Sequence, residues 1–174
     1  MDCSCKPKKK LLCLKILISI LIFLVLIFLI FSLNKENKSI LTAIAVEGDN
    51  TQLGTTTIKF SQNELTIGNA LTHEQGSDAI NVNKSGIYQI SYQLFGIKEG
   101  RGSFNFNSAL IVNDNVIDST FNDGPVIEDL VNNRNTLTST VILQLNEGDV
   151  LKLGGISIED ISYEKARIDI EKID

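Results

Sequence analysis

The sequence predicts an all-β protein, an antiparallel sandwich or barrel, behind a single N-terminal transmembrane α-helix. Three observations predict it. The stretch Ile87–Phe95 alternates large apolar or aromatic residues (Tyr88, Ile90, Tyr92, Leu94) with polar ones (Gln89, Ser91, Gln93). Successive strand side chains point to opposite faces, so a period of two describes a strand with one buried face. About ten stretches of this kind follow one another with turn residues between them, and no useful amphipathic helix interrupts them. Finally, Ile16–Leu33 is uncharged throughout.

At the N-terminus, residues 1–10 form a short basic tail, predicted to be cytoplasmic. Residues 11–33 are the predicted transmembrane helix. The 18 uncharged residues from Ile16 would rise about 27 Å as a helix, close to the hydrocarbon thickness of a bilayer. Ile16, Leu21, Phe23, Leu26, Phe28 and Phe31 are its expected lipid anchors. A cleaved signal would need a shorter apolar run and a small-x-small site, which Ile30-Phe31-Ser32 does not supply. Lys6, Lys8, Lys9, Lys10 and Lys15 precede the span, whereas Lys35, Glu36 and Lys38 nearly cancel after it. Positive residues stay inside. The expected location is therefore the cell membrane, single-pass, with the N-terminus cytoplasmic and the C-terminal domain extracellular.

The three cysteines, Cys3, Cys5 and Cys13, all lie at this end. Cys3-Ser4-Cys5 is half a metal site without a second half. Three reduced thiols are expected, with juxtamembrane acylation as the alternative. No disulfide framework can hold the remaining chain, so a core must.

Residues 34–40 are a short polar stalk and residues 41–174 the predicted ectodomain. Five of the 16 Lys+Arg and one of the 21 Asp+Glu precede Leu33, which leaves 11 basic and 20 acidic residues, a net charge of −9. That balance argues against nucleic acid as a partner. Strands are expected at Leu41–Val46, Thr55–Phe60, Glu64–Gly68, Ala79–Val82, Ile87–Phe95, Ser103–Val112, Val116–Phe121, Thr136–Leu145, Val150–Ile158 and Glu164–Lys172. Gly48-Asp49-Asn50, Asn113-Asp114-Asn115 and Asn146-Glu147-Gly148-Asp149 supply turn chemistry between them. Gly96 is expected to end the central strand, and Asn122–Asn135 reads as a long polar loop.

Four stretches, in order, resemble motifs of the tumour necrosis factor and complement C-one-q superfamily. Gly86-Ile87-Tyr88-Gln89-Ile90-Ser91-Tyr92 is similar to its G-x-Y-x-[FI]-x-[YS] strand. Leu110-Ile111-Val112-Asn113-Asp114-Asn115-Val116 is similar to its L-x-x-N-[GD]-x-x-V hairpin. Leu143-Gln144-Leu145-Asn146-Glu147-Gly148-Asp149-Val150-Leu151 is similar to its L-x-L-x-x-G-D-x-L element, and Ala166-Arg167-Ile168-Asp169-Ile170 occupies the place of its last strand. Within the superfamily the chain most resembles the C-terminal domain of bacterial collagen-like spore-surface (exosporium) glycoproteins. It departs from them because no collagen-like repeat precedes the domain. A membrane helix on a short stalk stands there instead, which is the type II topology of tumour necrosis factor ligands.

The resemblance implies an antiparallel ten-stranded jelly-roll sandwich packed as a homotrimer. It also implies that Gln89, Ser91 and Gln93, with Thr138, Thr140 and Ile142, approach the threefold axis; the alternative is that they are ordinary solvated sheet residues. These positions are more polar than the aromatic axis of the cytokines, and three membrane helices would raise the effective concentration of the domains.

Chemistry beyond binding is not expected. His73 is the only histidine and reads as a residue of the polar Thr72–Ser77 loop, so neither a zinc site nor a nucleophilic triad can be assembled. The acidic stretches Asp114–Asp118, Asp123–Asp129 and Glu159–Asp160 match no calcium-loop spacing and read as solvated loops. No cofactor is expected. The expected function is a membrane-anchored, non-enzymatic module for surface adhesion or for envelope or spore-surface structure, binding a surface protein or a glycan. A tumour necrosis factor-type signalling ligand is the alternative. Loops usually carry recognition, so Arg101, Asp123, Glu128, Asp129 and Arg134 are the candidate partner-binding residues.

Overall fold

The computed structural model describes residues 15–27, 38–46, 54–98, 105–124, 133–157 and 161–174. The chain divides into two compact units, Met1–Asn37 and Lys38–Asp174. In the first, residues 15–27 form helix α1. Among the described residues no helix is long and apolar enough to cross a membrane. Thirteen residues rise about 20 Å, short of a bilayer core of about 30 Å. The predicted transmembrane helix is thus not shown, and its remaining residues, 11–14 and 28–33, lie outside the described ones.

The second unit is an antiparallel β-sandwich. Its strands are β1 (Ser39–Ala45), β2 (Gly54–Thr57), β3 (Gln62–Ile67), β4 (Leu71–His73), β5 (Ile80–Val82), β6 (Gly86–Lys98), β7 (Phe106–Val112), β8 (Asn115–Val116), β9 (Asn122–Asp123), β10 (Asn133–Leu145), β11 (Val150–Ser157) and β12 (Ser162–Lys172). One sheet runs β10-β6-β12-β1-β3. The other runs β4-β5-β11-β7-β8, with β2 added on β11 and β9 on β7. The chain crosses repeatedly between the two sheets, as in a jelly-roll, and stays within the second sheet only from β4 to β5 and from β7 to β9.

The alternation of β6 is realised. Tyr88, Ile90, Tyr92 and Leu94 are buried between the sheets, packed with Leu41, Ile168 and Ile170 from the same sheet and Phe106, Leu110, Leu151 and Leu153 from the other. Two tyrosines keep a polar handle satisfied, as buried hydroxyls require. Tyr92 Oη shares a hydrogen bond with Ser108 Oγ (3.0 Å) across the sandwich, and Tyr88 Oη donates to the Lys84 carbonyl (2.5 Å). The hairpin between β7 and β8 turns on Asn113 and Asp114 at φ 52° and 62°, residue types that tolerate the left-handed region.

Several predicted bounds are corrected. β6 does not stop at Gly96 but runs to Lys98, because Gly96 lets the Phe106 ring lie against the backbone: a Cβ there would come within 3.0 Å of that ring. The predicted strand Val116–Phe121 keeps only its first residue in a strand, the end of β8, and then passes into a 3-10 turn (Asp118–Thr120). Thr120 causes the break by turning inward, where its Oγ1 donates to the Ile117 carbonyl and accepts from Leu110 N–H. The predicted loop Asn122–Asn135 begins in β9 and ends in β10. β4 takes in Thr72 and His73, the start of the predicted Thr72–Ser77 loop, by pairing with β5.

The domain has two distinct ends. Lys38 enters beside the last strand, with Ser39 paired to Lys172 and Tyr88 to the same residue. Asp174 Oδ1 there accepts from Ile87 N–H (2.8 Å). At the opposite end Lys98 faces Asn133, Ile97 faces Ser162, and Ser157 faces both Phe106 and Gly54.

Candidate functional site: the outer face of the five-stranded sheet

The side of the β10-β6-β12-β1-β3 sheet turned away from the core is the surface the predicted axis residues occupy. The register assembles them into rows. Thr138 faces Gln93, Thr140 faces Ser91, and Ile142 faces Gln89, and the Thr140 and Ser91 hydroxyls meet at 2.9 Å. Each row continues across the sheet. Gln93 faces Arg167 and then Ile44, Ser91 faces Asp169 and then Thr42 and Leu65, and Gln89 faces Glu171 and then Ile40 and Ile67. All six predicted residues therefore share one continuous face.

That face is graded. Its row nearest Lys38 and Asp174 carries apolar side chains at both edges, Ile142 and Ile67, 61% and 44% exposed, with Leu65 of the next row 43% exposed. The middle is a polar hollow of about 450 Å³ lined by Ser91, Gln93, Thr138, Thr140, Arg167 and Asp169. The charges in it are paired. Arg167 Nε donates to Asp169 Oδ2 (2.8 Å), Nη2 to Asp169 Oδ1 (2.9 Å) and Nη1 to Glu64 Oε2 (2.5 Å). Thr42, only 4% exposed, donates to Asp169 Oδ1 at 2.6 Å. Partial burial pulls the Asp169 carboxyl upward, but the hydrogen bonds from Arg167 and Thr42 outweigh it and hold the group below the ordinary aspartate range. Sequence alternation places Arg167 and Asp169 on this face, but it cannot reveal Glu64. That residue is the extra one at a register shift between β1 and β3, and only the bulge brings it over Arg167.

Of the predicted partner-binding residues, Arg101, Glu128 and Asp129 lie outside the described residues. Asp123 sits in β9 opposite Asn107, in the other sheet from Arg134, which faces Ile97. Both are at the end opposite Lys38. Of the predicted anchors, Ile16, Leu21, Phe23 and Leu26 are on α1 and exposed; Phe28 and Phe31 are outside the described residues.

His73 is not a loop residue. It ends β4, packs edge-on to the Phe60 ring (5.9 Å between centroids), and brings Nδ1 to Asn63 Oδ1 (2.6 Å) and Nε2 to the Ser77 carbonyl (3.0 Å). It braces β3 against the turn after β4. Among the described residues no group of three or more His, Cys, Asp or Glu is placed to hold a metal ion. Asp114 is instead paired to Lys152 at 3.0 Å.

No family model and no curated protein matches the chain. Solved structures do. Murine APRIL at pH 5.0 aligns with a TM-score of 0.54 and 16% identity, covering 78% of this chain and 99% of that one. Murine APRIL at pH 8.0 aligns at 0.53 and 15%, over the same shares of the two chains. The globular domain of zebrafish complement 1qA protein aligns at 0.49 and 11%, over 78% of this chain and 98% of its own. The domain thus shares its fold, a jelly-roll-like sandwich of antiparallel sheets, with murine APRIL. At such identities the likeness concerns the fold, and function has to come from the surface.

Proposed function

We propose that the chain is a membrane-anchored, non-enzymatic jelly-roll module that assembles as a homotrimer through the outer face of its five-stranded sheet. Gln89, Ser91, Gln93, Thr138, Thr140 and Ile142 approach the threefold axis. The observation that carries this reading is the state of β10. Among the described residues it is a thirteen-residue edge strand paired only to β6, with no charge or proline from Asn135 to Leu145. A long uncharged edge invites further pairing, and soluble proteins usually blunt such an edge or cover it. Ile142, on its exposed face, adds apolar area that self-association would bury.

Residues 15–27 and the uncharged run to Leu33 form the anchor, with the basic tail cytoplasmic and the domain extracellular. The support is an α1 whose apolar side chains are exposed all round, as suits an apolar medium. The module offers the end that carries Asp123 and Arg134 to a surface protein or glycan, in adhesion or in an envelope or spore coat. Display to a receptor as a signalling ligand of type II topology is the second reading, favoured by the likeness to APRIL.

Light scattering on the full chain in detergent, over a dilution series, tests the assembly. Three times the 19.2 kDa chain mass is expected after correction for detergent. A monomer at every concentration would refute the trimer.

A further inference from the structure

The outer face ends, on the side away from Lys38, in a cleft of about 550 Å³, within the usual range for small-ligand sites. Phe95 lies in it, half-buried, facing Thr136 on one side and Lys165 on the other. Ile44 and Val46 extend the apolar wall, and Arg134, Lys165, Arg167 and Glu164 supply the charge. The cations differ in availability. Arg167 is neutralised by Asp169 and Glu64, whereas Arg134 and Lys165 are exposed and make no ion pair or hydrogen bond among the described residues. Two available cations against the single carboxylate of Glu164 make the cleft locally basic in a domain of net charge −9.

We propose that this cleft binds a small organic carboxylate with an apolar body. Its headgroup meets Arg134 and Lys165 through charge-assisted hydrogen bonds, and its body lies on Phe95, Ile44 and Val46. Two features narrow the class. Of the four lining strands, β1, β6 and β12 are interior to the sheet and have their backbone groups used on both sides, so an extended peptide finds an open edge only along β10 and none beside Ile44, Val46 or Lys165. A long polyanion is disfavoured as well, because beyond the cleft Arg167 and Lys38 are already paired with Glu64, Asp169 and Glu171, two cations against three carboxylates, so its continuation would meet a slightly negative face. What fits is an anion no longer than the cleft, with an apolar part to cover the ring. This site does not depend on the homotrimer.

The test uses the full chain in a nonionic detergent, titrated calorimetrically with 4-phenylbutyrate. The controls are 4-phenylbutan-1-ol, which lacks the charge, and acetate, which lacks the body. Saturable binding with a Kd on the order of 1 mM is expected. Affinity should fall about tenfold or more for each control and for the Arg134→Gln, Lys165→Gln double variant, and it should weaken with added salt. Phe95→Leu should weaken the phenyl ligand and leave acetate unchanged. Because Arg134 and Lys165 are exposed, thermal melts of the double variant should match the parent. No saturable binding at about 10 mM, equal affinity for the alcohol, or undiminished binding by the double variant overturns the proposal. Light scattering on the same samples reads assembly separately: a monomer that binds keeps the cleft and removes the trimer, and a trimer that fails to bind does the reverse.

Discussion

Gly155→Ala probes how the two sheets are registered. Gly155 lies in β11 opposite Ser108, in the seven-stranded sheet, and Tyr163 of β12 crosses the sandwich to lie on it. A Cβ on residue 155 would stand 2.6 Å from Tyr163 Cε2 and nearer still to Cζ and Oη. Ordinary carbon contacts are about 3.5–4 Å, so the ring would have to move by roughly 1 Å or more. It cannot move freely, because Tyr163 is 3% exposed and stands edge-on to Phe106 at 5.8 Å and 68°. Overpacking of this kind costs about 1–3 kcal/mol, and loss of the aromatic pair adds about 0.5–1.5 kcal/mol. We expect about 3 kcal/mol in all, a fall in Tm of roughly 10 °C for a domain of this size. Urea denaturation at fixed protomer concentration measures it. The Tyr163→Leu background removes the obstructing ring, so there Gly155→Ala should cost less than about 1 kcal/mol, a coupling of about 2 kcal/mol. Additive costs in the two backgrounds would refute the packing of β12 on β11.

Other outcomes follow from the same contacts. The Tyr163 hydroxyl is buried with no hydrogen-bond partner among the described residues, so Tyr163→Phe should leave stability unchanged or raise it by up to about 1 kcal/mol; a loss above that would show a bonded hydroxyl. Burial pushes the Tyr163 phenol well above the usual tyrosine range, so its contribution is full below the unfolded value of about 10 and lost as pH rises beyond it. Ultraviolet titration should show Tyr163 ionising only as the domain unfolds, and ionisation in the folded state would count against its burial. Asp169 is shifted the other way: the stability it confers is present above the unfolded value near about 3.9 and is lost as pH falls through the lower folded one. With its side chain 39% exposed, solvent screening keeps that contribution below about 1 kcal/mol. Asp169→Asn should flatten the acid limb of stability against pH, and an unaltered limb would remove the network from the ledger. Ile142→Asp should convert the trimer to monomers at unchanged monomer stability, because the side chain is already exposed; a trimer that survives would move the axis elsewhere.

The alternation of single strands was legible from residue order alone, because the period of two is a local property of an extended chain. It assigned Tyr88, Ile90, Tyr92 and Leu94 to the buried face. It also put Gln89, Ser91 and Gln93 on the opposite face, and the Asn113-Asp114 turn followed from residues that accept positive φ. What residue order could not supply was anything that depends on a neighbour distant in the chain. Gly96 looked like a strand end because its use, admitting the Phe106 ring, belongs to another strand. Thr120 looked like part of a strand because its hydrogen bonds reach Leu110. Pairing of Arg167 with Glu64 spans 103 positions and requires a bulge. The cleft around Phe95 joins residues from β1, β6, β10 and β12. Local backbone preference acts within a few residues and so is written along the sequence, whereas registers and surfaces arise only when strands far apart in the chain are laid side by side.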